Sequence, residues 1–361
     1  MNAVTAREQF AAARKEGKRA REAAHAIGLS EGGAIAAHGG EHEYPLKSVP
    51  LRGPWIEVLQ ALELCGPLMA LTRNESTVHE KKGVYEKLSG QGAMGLALGE
   101  AIDLRMFFSQ WHAGFGVTEA AANPGNPPSL SLQFFDAHGT AIHKIFAIEG
   151  TDRDALQSVI DQYAEPSLGH LFKAGTAPRE IARPDAEIDA GGFSQGWGDM
   201  KDTHDFFGLL KKFGVERQQG FRLTEGKYTR RTSKAALREL LHEASFDGTP
   251  IMVFVGSPGC IQIHTGPVKR IEPMEMKGAR WLNVLDADFN LHLREDMIDQ
   301  VWIVEKPTTD GIVTSVEAFD SEGGLMAMFF GARKPGLPEK QEWRAIVSKL
   351  GAAEAAETAA A

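Results

Sequence analysis

The feature that most limits what this 361-residue chain can fold into is an internal repeat. Four pairs of similar segments occur in the same chain order, at offsets of 186, 183, 187 and 184 residues: 28 with 214, 67–70 with 250–253, 98–105 with 285–292, and 135–139 with 319–323. Matches at nearly one offset indicate that one structural unit is used twice. We therefore predict an N-terminal repeat at 8–165, a linker at 166–195, a C-terminal repeat at 196–348 and a low-complexity tail at 349–361.

Each repeat is predicted to be an α+β unit. In the second copy, helical patterns come first, and short runs rich in β-branched and aromatic residues follow, separated by Gly, Pro and Asp. Helices followed by strands are typical of α+β proteins, and the alternation in VTSVEAF (313–319) indicates antiparallel strands with one buried and one wet face. We expect a tandem structural repeat in which each half is a large antiparallel β-sheet flanked by helices.

Composition and missing motifs exclude several classes of function. A net charge of −9 argues against nucleic acid or an anionic membrane as the main partner, because both attract basic surfaces. No apolar run is long enough for a membrane-spanning helix, and the first residues lack the apolar core of a secretory signal, so we expect a protein of the cytoplasm that is not membrane-embedded. No dinucleotide, Walker or zinc-protease motif is present, and the two cysteines lie far apart.

One histidine makes the two copies chemically unequal. His204 lies in DTHDFFGLLKKFGV (202–215), just inside the predicted start of a helix that Asp202 or Thr203 would cap, and Lys18 stands opposite it in the first copy. The positive end of the helix dipole favours the neutral imidazole, which is the form that ligates iron. The apolar residues that follow can pack the helix and wall a flat ligand. A surface histidine on an amphipathic helix fits the same pattern, so the residues alone leave both interpretations open.

Four cations in apolar surroundings are further candidates. Arg105 lies in DLRMFF (103–108), a strand-like stretch in which an arginine needs a carboxylate, a carbonyl group or water as its partner, or a ligand to donate to. Arg217, Lys306 and Arg333 lie in VERQQGF, WIVEKPT and FFGARKPG. Arginine pairs bidentately with carboxylates, so a ligand that carries carboxylate groups would suit these positions. Taken singly, each of these cations is equally compatible with a solvated or salt-bridged surface charge.

Several of these segments resemble one known family. The stretches WGDMKDTHDFFGLLKKFGVERQQGFRL, GARWLNVLDADFNLHL, VWIVEKPTTDGIVTSVEAFD and FFGARKPGLPE, with GEAIDLRMFFSQWHAGFG of the first copy, resemble the bacterial haemin-degrading and haem-transport family of the HemS/ChuS/HmuS type. The resemblance covers residues 15–350. It implies two similar α+β halves with antiparallel sheets, and haem (iron protoporphyrin IX) as the group that is bound.

The resemblance also implies roles for single residues. His204, in the D-T-H-D-F motif, is implied to be the proximal iron ligand, and Arg105, in the D-L-R stretch, the distal catalytic arginine. The basic residues that hold the propionates correspond to Arg217, Arg333 and, by a weaker match, Lys306.

The chain departs from the family pattern before Arg333. Some relatives carry Tyr-Gln at this point, whereas this chain has Ala327 and Met328. The departure removes polar contacts that the relatives offer to the propionates on this side.

Two functions use the same residues. In the first, which we favour, the chain degrades haem: Arg105 donates hydrogen bonds to oxygen on the iron, an external electron donor supplies electrons, and the ring opens to a linear tetrapyrrole with release of iron. In the second, the chain is a carrier that delivers haem to a separate haem oxygenase. An inner-membrane haem importer or a haem oxygenase is the expected protein partner. A duplicated scaffold without a ligand is the third interpretation.

Overall fold

The chain divides into two compact units. The computed structural model describes residues 2–121, 123, 125–178, 182–334 and 336–351. The first unit comprises Met1–Asn74, Val78–Pro178 and Gly256–Ile263. The second comprises Glu75–Thr77, Arg179–Val255 and His264–Ala361. Each unit thus combines most of one half of the chain with a short segment of the other half. The repeat boundaries inferred from the sequence stay a prediction.

The first half of the chain supplies helices α1 to α5 and strands β1 to β9. The helices are α1 (Ala3–Lys15), α2 (Ala20–Ala26), α3 (Glu31–Ala37), α4 (Trp55–Gln60) and α5 (Arg153–Tyr163). The strands are β1 (Leu46–Leu51), β2 (Leu68–Arg73), β3 (Thr77–Gly83), β4 (Leu88–Gln91), β5 (Met94–Leu98), β6 (Asp103–Phe107), β7 (Ala113–Glu119), β8 (Ser129–Phe135) and β9 (Ala141–Ala147). Antiparallel pairing joins them in the order β1-β7-β8-β9-β2-β3, and separately as β4-β5-β6.

The second half repeats this order of elements. Its helices are α6 (Ala190–Gly198), α7 (Asp205–Phe213), α8 (Arg217–Leu223), α9 (Ala236–Asp247) and α10 (Gln341–Lys349). Its strands are β10 (Thr229–Thr232), β11 (Ile251–Gly256), β12 (Cys260–Gly266), β13 (Ile271–Met276), β14 (Ala279–Leu285), β15 (Phe289–Arg294), β16 (Gln300–Thr308), β17 (Gly311–Phe319) and β18 (Leu325–Gly331). Antiparallel pairing gives the orders β10-β16-β17-β18-β11 and β13-β14-β15.

The two orders show that one architecture occurs twice. The ladder β10-β16-β17-β18-β11 has the same chain order as β1-β7-β8-β9-β2. Among the described residues of each half, three helices precede the first strand of the ladder, and one helix follows the last strand in the chain. The predicted fold class, a tandem α+β repeat with large antiparallel sheets flanked by helices, is therefore confirmed.

The sheet of the second unit has no wet face along β17. Every residue from Val313 to Phe319 is buried, so the expectation of one solvated face is wrong for this strand. The reason is that helices cover both faces: α9 and α10 pack with Val316 and Ala318, whereas α6, α7 and α8 pack with Trp302, which lies opposite Glu317 in the ladder. Polar residues on the second face are consequently enclosed beneath α7 and α8.

A short segment of the second half completes the core of the first unit. The first residues of β12 pair with β6, which places Cys260 opposite Met106. Cys260 lies in a buried network: the Thr72 hydroxyl is 3.7 Å from the Cys260 Sγ and 2.8 Å from the His143 Nδ1. Tyr85 Oη is 2.7 Å from the His143 Nε2. Burial lowers the pKa of His143 to about 3 and raises the pKa of Cys260 to about 12.

In the part of the chain that the structure describes, no helix is both long and apolar enough to cross a membrane.

Candidate functional site

The local fold around His204 is set by two aspartates. His204 is the N-cap of α7 and not a residue inside its first turn, because the helix begins one residue later, at Asp205. The carboxylate of Asp205 accepts the backbone N–H groups of Lys201 and Asp202, both at 3.0 Å. The carboxylate of Asp202 accepts the backbone N–H of His204 at 2.8 Å. Together these bonds fix the turn that presents the histidine.

The His204 ring is exposed and oriented. Its side chain is 91% exposed, and its Nδ1 bonds the Asp202 carboxylate. The backbone N–H and the ring of His204 lower the pKa of Asp202, so the carboxylate stays ionised. An Nδ1–H held by a carboxylate leaves the Nε2 lone pair as the free ligand, which is the arrangement that metal-binding histidines commonly use.

A buried ion cluster lies beneath the start of the same helix. Arg217, the first residue of α8, donates through Nε and Nη2 to the two oxygens of Glu317, at 2.7 and 2.8 Å. Lys306 on β16 lies with its Nζ 3.3 Å from the same carboxylate and 3.5 Å from the Ser315 hydroxyl. The sequence-predicted cations Arg217 and Lys306 therefore converge on one carboxylate, Glu317.

The charges in this cluster depend on one another. Arg217 and Lys306 lower the pKa of Glu317 to about 2, in spite of its complete burial. Burial lowers the pKa of Lys306 to about 8, and Arg217 acts in the same direction, whereas Glu317 opposes both. Glu317 is thus the group that favours the charged form of the lysine.

Phe206 lies two residues after His204 on α7 and contacts both cations of this cluster. The ring of Phe206 is buried, and its centroid lies 5.2 Å from the Arg217 guanidinium carbon and 4.9 Å from the Lys306 Nζ. Both distances suit cation–π contacts. Phe207, the next residue, is 77% exposed and not buried against the helix layer. An exposed phenyl group and an exposed imidazole therefore lie within one turn of each other on α7.

Arg333 is held on the same unit by Asp310. Its Nη1 lies 3.5 Å from the Asp310 carboxylate and 3.3 Å from the carbonyl of Leu337. The positive charge of Arg333 also contributes to the lowered pKa of Asp202. Arg333 therefore favours the ionised form of Asp202, the carboxylate that bonds the His204 ring.

Met328, one of the two residues at which the expected family pattern is not met, takes part in the cluster. The Met328 sulfur lies 3.2 Å from the Arg217 Nη2, and the neighbouring Ala327 is buried. Arg217 therefore has both a carboxylate and a thioether as partners.

Arg105 belongs to the first unit. It lies on β6, with its side chain 31% exposed, and its guanidinium pairs with Asp103 and donates to the carbonyl of Leu104 at 3.2 Å. These contacts match the salt-bridged interpretation of this arginine. Its assignment as a distal donor stays a prediction.

The first repeat carries acidic residues at the positions that correspond to Arg217 and Lys306 of the second repeat. In the hairpin β7–β8, Val117 lies opposite Ser131, and in the hairpin β16–β17, Val304 lies opposite Ser315. When these two pairs are superposed, Glu119 corresponds to Lys306, and Gln133 corresponds to Glu317. The helix start that corresponds to Arg217 is Glu31, which pairs with Lys144. The cation cluster is therefore specific to the second repeat.

Sequence reasoning did not identify Glu317. The residue alternates with apolar neighbours in VTSVEAF, and this pattern is typical of a solvated face. The available signal was the comparison of repeats, since Gln133 stands at the same position of the first hairpin.

Both halves of the chain match one family model. Residues 28–163 and 214–350 match the "Haemin-degrading HemS.ChuX domain". The hemin transport protein HmuS of Yersinia pestis is 37% identical over 346 residues, which cover 95% of this chain and 96% of that protein.

Solved structures agree with the sequence comparison. The holo form of PhuS, described as a heme-binding protein of Pseudomonas aeruginosa, matches with a TM-score of 0.91 and 41% identity, covering 98% of this chain and all of that chain (100%). ChuS, described as a heme-degrading enzyme of Escherichia coli O157:H7, matches with a TM-score of 0.86 and 34% identity, covering 97% and 100%.

Proposed function

This chain belongs to the haemin-degrading HemS family, and from that premise we propose that it binds haem on its second unit and opens the porphyrin ring oxidatively. The observation that carries the proposal is the arrangement around α7. An exposed imidazole whose Nδ1 is fixed by Asp202 lies two residues before Phe206, and the Phe206 ring contacts two cations that share one buried carboxylate. A ligand with one metal ion and two carboxylates matches this set of groups.

Different residues would bind the iron and the propionates of haem. His204 would bind the iron through Nε2, with Asp202 holding the ring in the required tautomer. Arg217 and Lys306, with Arg333, would bind the propionates. Phe207 offers an exposed aromatic face beside the imidazole. Haem is the substrate, and its iron supplies the oxygen chemistry once an external donor has reduced it.

Arg105 is the proposed donor to oxygen during ring opening, on the strength of the family resemblance. A guanidinium is always charged and carries several N–H donors, which suits stabilisation of developing negative charge. In the described structure the partner of this guanidinium is Asp103. We therefore expect Arg105→Ala to retain haemin binding and to slow degradation.

A carrier is the second candidate, and the exposure of His204 favours it. The His204 side chain is 91% exposed, so an acceptor protein could approach haem iron bound to it, as transfer of haem to a separate oxygenase would require. Relatives carry both kinds of description: HmuS as a transport protein, PhuS as a heme-binding protein, and ChuS as a heme oxygenase. We place either function in the cytoplasm, downstream of an inner-membrane haem importer.

The enzyme and the carrier predict different results in one assay. Haemin-loaded protein is mixed with ascorbate, with and without catalase, and the visible spectrum is followed. We expect the haem band to disappear, and a linear tetrapyrrole and free iron to form, in the presence of catalase. Because catalase removes hydrogen peroxide, loss of the reaction in its presence would assign the bleaching to peroxide and favour the carrier.

Removing the partner of the histidine should weaken haemin binding. We expect Asp202→Ala to raise the Kd for haemin about tenfold, because outer partners of metal-binding histidines typically contribute 10–100-fold and this pair is exposed. Asp202→Asn, which keeps an accepting oxygen, should retain most of the affinity. Spectrophotometric titration of both variants measures the effect.

The matched control for this prediction is Asp199→Ala. Asp199 is the C-cap of α6 and bonds Gln195, so its loss changes the net charge equally without touching the histidine. Equal affinities of the Asp199 and Asp202 variants would contradict the orienting role of Asp202.

A further inference from the structure

Glu317 has no role yet in the proposed function, although it lies at the centre of the cation cluster. Its side chain is 0% exposed, and both of its oxygens bond cations. A buried carboxylate is costly unless it is paired, and here two cations pair with it. We propose that Glu317 is a positioning residue that fixes Arg217 and Lys306 for the two carboxylates of the bound porphyrin. This inference rests on the proposed function.

Comparison of the repeats supports a role that is tied to the cations. In the first repeat, the positions of Arg217 and Lys306 hold Glu31 and Glu119, and the position of Glu317 holds the neutral Gln133. Where the cations are absent, the central carboxylate is absent too.

The hairpin itself does not need the carboxylate. Gln133 donates to the Ser131 hydroxyl at 3.1 Å, and Ser315 correspondingly donates to Glu317 at 2.8 Å. A glutamine at this position is therefore compatible with the same pair of strands, which makes Glu317→Gln a conservative test.

Glu317 also determines whether Lys306 is charged near neutral pH. The charged groups that act on Lys306 are Glu317 on β17, which favours the ammonium form, and Arg217 on α8, which disfavours it. Burial disfavours it further and brings its pKa to about 8. Without Glu317, both remaining influences lower this pKa, so the lysine loses its proton at a lower pH and offers no charge to a carboxylate there.

The test measures binding of metal-free protoporphyrin IX between pH 6.5 and 9.5 by fluorescence. This probe keeps both carboxylates and has no iron, so neither His204 nor hydroxide binding to iron affects the result. For the wild-type protein we expect the affinity to fall about tenfold as pH rises above about 8, where Lys306 becomes neutral. In Glu317→Gln the fall should begin at least about one pH unit lower.

Two further variants separate positioning from general damage. Lys306→Arg stays charged throughout, so its affinity should not fall across this range. Glu317→Asp keeps the negative charge, so its affinity for protoporphyrin should begin to fall at a pH closer to that of the wild type. The ¹³Cε resonance of Lys306 in the ligand-free protein, identified by its absence in Lys306→Arg, should titrate at lower pH in Glu317→Gln.

The outcomes are distinguishable. If protoporphyrin binds and the pH dependence of Glu317→Gln coincides with that of the wild type, the role of Glu317 is wrong while the proposed function stands. If the Lys306 resonance titrates at the same pH in both proteins, the role is likewise wrong. If the wild-type protein binds neither haemin nor protoporphyrin, the proposed function fails and the inference fails with it.

Discussion

His204→Ala is expected to abolish axial coordination of haemin and to raise its Kd by about 100-fold or more, which corresponds to about 3 kcal/mol. In the ligand-free chain this imidazole contacts Asp202 and is 91% exposed, so its removal costs the folded protein little. The loss should therefore appear in ligand binding and not in stability. Titration of haemin, followed by its visible absorption band, measures both the coordination and the Kd.

The control for this prediction separates iron coordination from porphyrin binding. Arg217 and Lys306 remain in His204→Ala, so the affinity for metal-free protoporphyrin should change by less than about twofold. His242→Ala removes an exposed histidine on α9 of the same unit and should bind haemin as the wild type does. A His204→Ala protein that retains the coordinated haemin band would show that another residue ligates the iron.

The fold was predictable because the repeat and the element types leave clear local signals. Matched segments at nearly one offset identify the duplication, and strands such as β16 and β17 combine β-branched residues with flanking turn residues. Strand β13 gives no such signal. Its sequence IEPMEM is exposed over its last four residues and contains Pro273, which is tolerated because the strand ends its ladder.

The tertiary partners were not predictable from local pattern. Residues 256–263 belong to the first unit although they lie in the second half of the chain, and Cys260 packs there beside Thr72. Which two strands pair over such a separation depends on how their side chains fit together. The local pattern of each segment identifies it as a strand but does not identify its partner.

The candidate site was predictable as a set of residue types but not as an arrangement. The family resemblance implied that His204 is a ligand, and apolar surroundings singled out Arg217 and Lys306 as candidates. Their convergence on Glu317 depends on α7 and α8 covering a face of the sheet that the sequence pattern leaves open to solvent. The alternation of polar and apolar residues along a strand thus identifies its two faces. Whether a charged residue on one face is buried depends on the helices that pack on that face.

Acidification is expected to destabilise the first unit through His143. Burial lowers its folded pKa to about 3, below the ordinary 6.5, so the neutral ring is the form that the folded state holds. The stability that this provides is complete above pH 6.5 and is lost as pH falls toward 3, because the unfolded chain binds the proton first. The expected slope is about 1.4 kcal/mol per pH unit, or about 2 kcal/mol between pH 6.5 and 5.

The measurement compares urea denaturation of the wild type and His143→Gln at several pH values between 7 and 5. The glutamine removes the titrating ring and leaves a polar group for Thr72 and Tyr85, so the variant should be less stable at pH 7 but lose less stability on acidification. His38 and His170 also have lowered pKa values, but they act equally in both proteins. Glu317 takes up a proton only at lower pH, because its pKa is lowered from 4.5 to about 2, and this keeps its contribution outside the range from pH 7 to 5. Parallel pH dependences would show that His143 is solvated or protonated in the folded chain, and that the network around Cys260 is more open than its burial indicates.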